Sequence, residues 1–401
     1  MSSAGPLAGL TVLDLSRVLS GPYCTMLLAD MGARVIKIEH PVHGDDTRAW
    51  GPPWVNGESS YFLSINRNKE SVAIDFKTPD GRALVERLIA QADILVENFR
   101  PGSLARIALD YGTLATAHPR LIYASISGFG QTGPRSHEAG YDAMVQAEGG
   151  LMSITGTADA PPVRLGVAIS DIAAGMFAMQ GILLALIARG TTGRGQHVDV
   201  SMFDATTALL SYQAQRTLIT GVPPPRLGNR HASIAPYDTF AAADGTLVLA
   251  VGNDEQWQRF CRVAHLDDAA SDARFLTNDG RVEHHAALQP LVAQAIASDT
   301  LEHWLGRLRD AGVPAGAVRD IDAVLADAQT AARAMVATVQ HQSIGTLPVL
   351  GVPVKLSDTP GSVRTAPPLL GQHTAAVLQQ DLGLSPSRIN ALASAGVLKC
   401  G

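Results

Sequence analysis

The chain has 401 residues, 46% of them hydrophobic and 17% charged, with a formal net charge of −6. That length exceeds a comfortable single core and sets two domains as the prior. The acidic balance leaves no basic footprint for nucleic acid, while a local basic patch can still bind an anionic co-substrate.

Leu10–Leu15 reads as a buried strand, followed by the Gly21-Pro22 turn and a helix from Tyr23 to Met31, with Pro22 suited to its first turn. Ala33–Glu39 and Ser71–Phe76 are strand-like. Thr78-Pro79-Asp80-Gly81 starts a helix running to Ala92. Asp93–Asn98 and Leu121–Ile126 are further strands. Strands alternating with helical segments indicate a parallel sheet with crossover helices, whose ligands bind beyond the carboxyl ends of the strands. An apolar helix from Ile172 to Arg189 is short for a membrane span and reads as a core helix. After another helix, from Met202 towards Leu218, Gly221–Pro225 forms a stiff linker. Beyond it come a hairpin around Asp244-Gly245, three helical segments ending near Ala311, strands near 345–356 and a C-terminal helix.

Cys24, Cys261 and Cys400 are sparse and odd in number, which argues against a disulfide framework and for a reducing compartment. No Cys/His spacing suggests zinc, so no metal is expected. No basic segment followed by an apolar core opens the chain, so no secretory leader is expected.

Asp171 closes the run Val163–Ser170 at the start of the apolar helix. There the free N–H groups and the macrodipole favour negative charge, so the carboxylate is expected to stay ionised and to be a possible nucleophile. The local pattern by itself favours an ordinary cap by Ser170 or Asp171. Gly128–Pro134 resembles a phosphate loop but lacks the G-x-G-x-x-G spacing, and a plain turn is the better local reading. Gly44–Arg48 reads as a solvated turn. Asn66–Lys69 divides evenly between solvated surface and a phosphate-binding segment. Val251–Trp257 reads as a strand-to-helix turn capped by Asn253, with a mobile cover hinged at Gly252 as the alternative.

Taken in order, several stretches resemble the family III CoA-transferases. They are Gly9–Val18 with Gly21-Pro22, Gly32–Glu39, Gly44–Arg48, Asn66–Lys69, Val96–Gly102 and Gly128–Pro134. Gly193–Gln196, Gly312–Pro314 and Pro368–Thr374 complete the set. Within that family, Asp45–Pro53, Asn66–Lys69 and Arg226–Tyr237 resemble the succinate–hydroxymethylglutarate, dicarboxylate-using branch. The resemblance implies an α/β fold with a large Rossmann-like domain from residues 1–220 and 325–401. It also implies a smaller α+β domain from 226–318, linkers at 221–225 and 319–324, and an interlocked homodimer with each site between the chains. No nucleic-acid or membrane partner is implied, and the expected location is the cytoplasm.

The implied catalyst is Asp171, passing through an aspartyl anhydride and an aspartyl-CoA thioester. Coenzyme A is a co-substrate, with no tightly bound cofactor. CoA contacts fall by resemblance on Val18, His40, Ile74, Lys77, Asn98, Phe99 and Arg106. Histidine at position 40, where the family often has a stronger base, makes that contact weaker or pH-dependent. Leu19 replaces a glutamine of the oxalate-using member and argues against oxalate. Arg17, Arg48, Arg230 and His231 are candidates for the far carboxylate of a dicarboxylate. Gly252 is the candidate hinge of a cover that keeps water from the anhydride. The rival reading is an α-methylacyl-CoA racemase of the same fold. That enzyme needs a histidine where this chain has Tyr141, and a phenol of pKa near 10 suits α-proton abstraction poorly.

Overall fold

The computed structural model describes residues 5–401. They form two compact units. The first comprises the chain through Leu151, Arg164–Ile219 and Ala328–Gly401; the second comprises Met152–Val163 and Thr220–Asp327.

The first unit is built on a seven-stranded sheet. Its strands are β1 (Thr11–Asp14), β2 (Arg34–Glu39), β3 (Lys69–Ile74), β4 (Ile94–Glu97), β5 (Ile122–Ser127), β6 (His197–Ser201) and the C-terminal strand Leu398–Lys399. The spatial order is C-terminal strand, β3, β2, β1, β4, β5, β6. All pairings are parallel except that of the C-terminal strand with β3. The strands read as nearly continuous apolar runs because both faces are covered. Leu13, Ile36, Val72 and Leu95 face one core, while Val12, Val35, Ile94 and Val96 face the other.

The order in which successive strands are added reverses between β1 and β4. In a doubly wound sheet the crevice at that switch point is the natural ligand site. Two helices frame it. Helix α1 (Ser20–Asp30) begins three residues before the expected Tyr23, with Pro22 still inside the first turn, where a missing N–H costs nothing. Helix α2 (Ile169–Thr192) is longer than expected at both ends. Its 24 residues are long and apolar enough to cross a membrane, so the expectation that this helix is too short does not hold. It crosses α1 at Gly175, where an added Cβ would sit 2.6 Å from the Ser20 carbonyl oxygen. Only glycine allows that approach.

The second unit holds a three-stranded antiparallel sheet, β7 (Tyr237–Ala241), β8 (Thr246–Ala250) and β9 (Ala315–Ala317), with β8 central. Its core gathers Trp257, Phe260, Phe275, Leu288 and Trp304. The sequence reading kept residues 152–163 with the large domain, and the structure differs. Arg226 binds this segment through Nε to the Thr157 oxygen (3.0 Å) and Nη2 to the Ala160 oxygen (2.7 Å). Gly228 N donates to the Gly156 oxygen at 2.9 Å. An arginine 66 residues downstream is invisible to local patterning. The unit also runs through Asp327, whose carboxylate pairs with Arg319 at 2.5 Å, inside the stretch read as linker and returning chain.

Candidate active site

The switch point opens into two cavities that share Arg17, Asp46 and Phe99 in their walls. One, of about 230 Å³, is walled by Asp171, Ser20, Val18, Asn98, Gly128, Gly140 and Tyr141 among others. The other, of about 370 Å³, is walled by His40, His43, Ile74, Phe76 and Lys77 among others. Arg17 stands at their junction, paired to Asp46 at 3.1 Å, with its guanidinium 5.4 Å from the Phe99 ring centre.

Asp171 lies in the first turn of α2, and it is not the cap. The N-cap position is Ala168, which makes no side-chain bond. The capping acceptor comes from another segment, as Asp142 Oδ1 accepts from Ser170 N at 2.9 Å. Asp171 is therefore free to face the cavity. Burial raises the pKa of its carboxyl, the nearby Asp142 charge raises it further, and the Ser20 hydroxyl and amide pull it back. The net result is about 7. The expectation of a carboxylate ionised by a helix terminus is corrected accordingly. Beside this turn, Leu19, Met26 and Ile65 form an apolar cluster with Ala168 and Ile172, which accounts for the desolvation.

The loop from β1 to α1 is strained. Val18 has φ of +67°, a conformation that costs a β-branched residue about 1–3 kcal/mol. Asn98 clasps this loop, accepting from Arg17 N (2.8 Å) and donating to the Arg17 oxygen (2.6 Å). Glu97 Oε2 in turn accepts from Phe99 N at 2.8 Å. Burial drives the Glu97 carboxyl up to about 7, against its bonds from Ser125 and Phe99.

Behind the cleft lies a buried charge network that the sequence reading missed. Asp14 pairs with Lys69 (3.2 Å) and Lys37 with Asp45 (2.9 Å), all fully enclosed. Burial works to raise the Asp45 pKa, yet the Lys37 ammonium and the Thr47 donors hold it at about 2. Gly44–Arg48 is thus not a solvated turn, since Asp45 and Thr47 are buried. Asn66–Lys69 is neither surface nor a phosphate site, for all four residues are buried. Arg67 binds Asp30 (2.6 Å), and Lys69 Nζ also donates to the Asn66 side chain (2.9 Å).

The remaining predicted positions divide clearly. Val18, Asn98, Phe99, Arg17 and Tyr141 line the Asp171 cavity, and His40, Ile74 and Lys77 line its neighbour. His40 stacks on His43, and its Nδ1 accepts from Val42 N at 3.2 Å, which leaves Nε2 as the protonated nitrogen of the neutral ring. Arg106 lines neither cavity; it donates to Ser103 Oγ at 3.4 Å. Arg48 is committed elsewhere, to Glu39 through Nε (2.7 Å) and Nη2 (2.8 Å) and to the Pro368 oxygen. As a ligand for a substrate carboxylate it is corrected. Arg230, His231 and Gly252 belong to the second unit. His231 stacks on Tyr237, and Gly252 N donates to the Gln256 side chain ahead of the Asn253 cap of α3 (Asp254–Ala264). In the Gly128–Pro134 loop, Gly130 N is taken by Ser127 and Gln131 N by Asp199, as in a plain turn. Among the described residues no cluster of three His, Cys, Asp or Glu forms a metal site.

Ser20 and Asp142 are the neighbours that sequence reasoning missed. Asp142 stands beside Tyr141, but nothing in its spacing points to position 171.

A carboxyl poised near neutrality at the switch point of a parallel sheet, facing a divided cleft, suits covalent acyl chemistry. The profile of CoA-transferase family III matches residues 7–374. The chain belongs to that family. A mouse succinyl-CoA:glutarate CoA-transferase is 41% identical over 397 residues, spanning 99% of this chain and 91% of the relative. An acetyl-CoA:oxalate CoA-transferase of Acetobacter aceti is 44% identical, over 92% and 95% of the two chains. The crystal structure of a CaiB/BaiF family protein from Brucella suis superposes with a TM-score of 0.85 at 42% identity, covering 94% of this chain and all of the other. This CoA-transferase is accordingly an enzyme that uses CoA thioesters as co-substrates.

Proposed function

We propose that this CoA-transferase moves CoA from succinyl-CoA to a C4–C6 dicarboxylate through covalent intermediates on Asp171. The observation that carries the reading is the Asp171 carboxyl, held near neutrality in the wall of the switch-point cleft.

The ionised Asp171 oxygen attacks the thioester carbonyl, the C–S bond breaks, and CoA leaves as thiolate. The thiolate then attacks Asp171 Cγ of the anhydride, releasing succinate and leaving an aspartyl-CoA thioester. The acceptor carboxylate attacks that thioester, again expelling thiolate. The thiolate finally takes the acceptor acyl group and restores the carboxylate. Each intermediate is an activated acyl group, so every step is reversible and no high barrier is crossed at once. His40, Ile74 and Lys77 serve the nucleotide end of CoA, while Val18, Asn98 and Phe99 guide the pantetheine arm. Arg17 is the cation for the far carboxylate of the acceptor, because it lines the Asp171 cavity and its pair with Asp46 is half-exposed, while Arg48 is enclosed against Glu39. The dicarboxylate class is supported by the relatives that use glutarate.

The working form in this reading is a homodimer in a reducing compartment, the cytoplasm. Met176, Phe177, Leu184 and Ile187 are exposed along α2, with Ile187 at 72%, and an apolar stripe of that kind calls for cover.

Hydroxylamine added during turnover with succinyl-CoA should convert Asp171 into a hydroxamate, located by peptide mass spectrometry. Asp171→Ala should abolish exchange while still binding CoA. Full activity in that variant would remove the reading, as would α-deuteration of a 2-methylacyl-CoA in heavy water without any acceptor acid.

A further inference from the structure

Asp45 belongs to a motif for which the transfer chemistry has no evident use. Around it, the backbone between β1 and α1 is gripped at every polar group from Ser16 N to Val18 N. Ser16 N donates to Asp14 Oδ1 (2.9 Å), and Lys37 Nζ donates to the Ser16 oxygen (2.8 Å). Asn98 takes both polar groups of Arg17. Val18 N donates to Asp45 Oδ1 at 3.2 Å.

The last residue in this grip is the one in the left-handed region. Strain of this kind persists only where the surroundings over-determine it, and it collects at functional sites. Asp45 is well built to impose it. Its Oδ1 also accepts from Thr47 N (2.9 Å) and Thr47 Oγ1 (2.7 Å), its Oδ2 meets Lys37, and its own N–H donates to Glu39 (3.0 Å). Side-chain rotation is thereby excluded. Two residues beyond Val18, Ser20 opens α1 in the wall of the Asp171 cavity.

We propose that Asp45 is a positioning residue: its carboxylate holds Val18 in the left-handed conformation and so sets the Val18–Ser20 backbone against Asp171 for acyl transfer. Asp45 is buried and acts through Val18 rather than on substrate. A purely structural Asp45–Lys37 pair would support the loop without regard to the conformation of residue 18.

The proposal rests on the transfer reading for its activity readout, and a double-mutant cycle with succinyl-CoA and glutarate tests it. Asp45→Ala, which removes the acceptor of Val18 N, should lower kcat on the order of 10- to 100-fold, with a smaller change in the KM for succinyl-CoA, whereas Asp45→Asn keeps an Oδ1 acceptor and should lose less. Adding Val18→Gly to Asp45→Ala should then recover about fivefold or more, because glycine reaches positive φ without the penalty. No recovery in a folded double variant would overturn the proposal, as would wild-type kcat in Asp45→Ala. Should Asp45→Ala fail to fold, Asp45→Glu keeps the charge opposite Lys37, displaces the Val18 acceptor, and carries the same cycle.

A second arm needs no turnover. Amide hydrogen exchange across residues 15–20 should rise in Asp45→Ala, and unchanged protection there would overturn the grip. A wild-type chain inactive with every acyl-CoA would sink the transfer reading and leave this arm standing.

Discussion

Asp45 and Asp171 are two aspartates on one cleft, and the fold drives them in opposite directions. Both are desolvated. Asp45 meets an ammonium and three donors and is held at about 2. Asp171 meets another carboxylate, with Ser20 as its donor among the described residues, so it rises to about 7. Burial alone therefore fixes neither state; the partner does. The paired group holds the loop in place, and the group left unpaired keeps the free electron pair that nucleophilic attack requires.

The sharpest way to break this contrast is to neutralise the unpaired member. Asp171→Asn should reduce exchange on the order of 10⁴-fold or more, as expected for loss of a nucleophile. It should also raise the melting temperature. The folded pKa lies above the unfolded one, so ionising Asp171 costs stability as pH rises from about 4 towards 7. The asparagine removes that cost, and the gain should be fully present above pH 7 and absent below pH 4. Melting curves at pH 5 and pH 8 check the sign, and a variant less stable than wild type at pH 8 contradicts the assignment.

The paired side predicts the reverse. Asp14 accepts from Ser16 N and Thr25 Oγ1 and faces the buried Lys69 ammonium. Removing it in Asp14→Ala leaves Lys69 without a countercharge and should cost about 3–5 kcal/mol in urea unfolding. A loss under 1 kcal/mol would show the network to be dispensable.

Much of the sheet was legible because its strands are buried on both faces and so write nearly continuous apolar runs, as at Val12-Leu13 and Ile94–Val96. The position of Asp171 was legible as a polar residue opening an apolar helix. Its chemical state was not, because Asp142 and Ser20 reach it from segments 29 and 151 residues away in sequence. Gly44–Arg48 and Asn66–Lys69 were misread for the same reason. A run of charge looks solvated until the fold brings in its counterions, Lys37 of β2 for the first and Asp14 of β1 with Asp30 at the end of α1 for the second. Arg48 shows the limit most plainly, for its commitment to Glu39 folds the short 3-10 turn Asp46–Ala49 back onto the end of β2, which no local pattern encodes.

The finest test separates the two causes acting on Asp171. Single-turnover release of succinate from succinyl-CoA should fall on the acid side with a midpoint near pH 7, where Asp171 takes up a proton. Burial and the Asp142 charge both contribute, and only the second can be removed without opening the apolar cluster. In Asp142→Asn the amide oxygen can still accept from Ser170 N and keep the α2 terminus in place. The negative charge is gone, so the acid limb should move to lower pH while the plateau rate stays within a few-fold. An unmoved limb would mean that desolvation alone sets the nucleophile. A shift to higher pH would contradict the Asp142 charge as a cause of the raised Asp171 value.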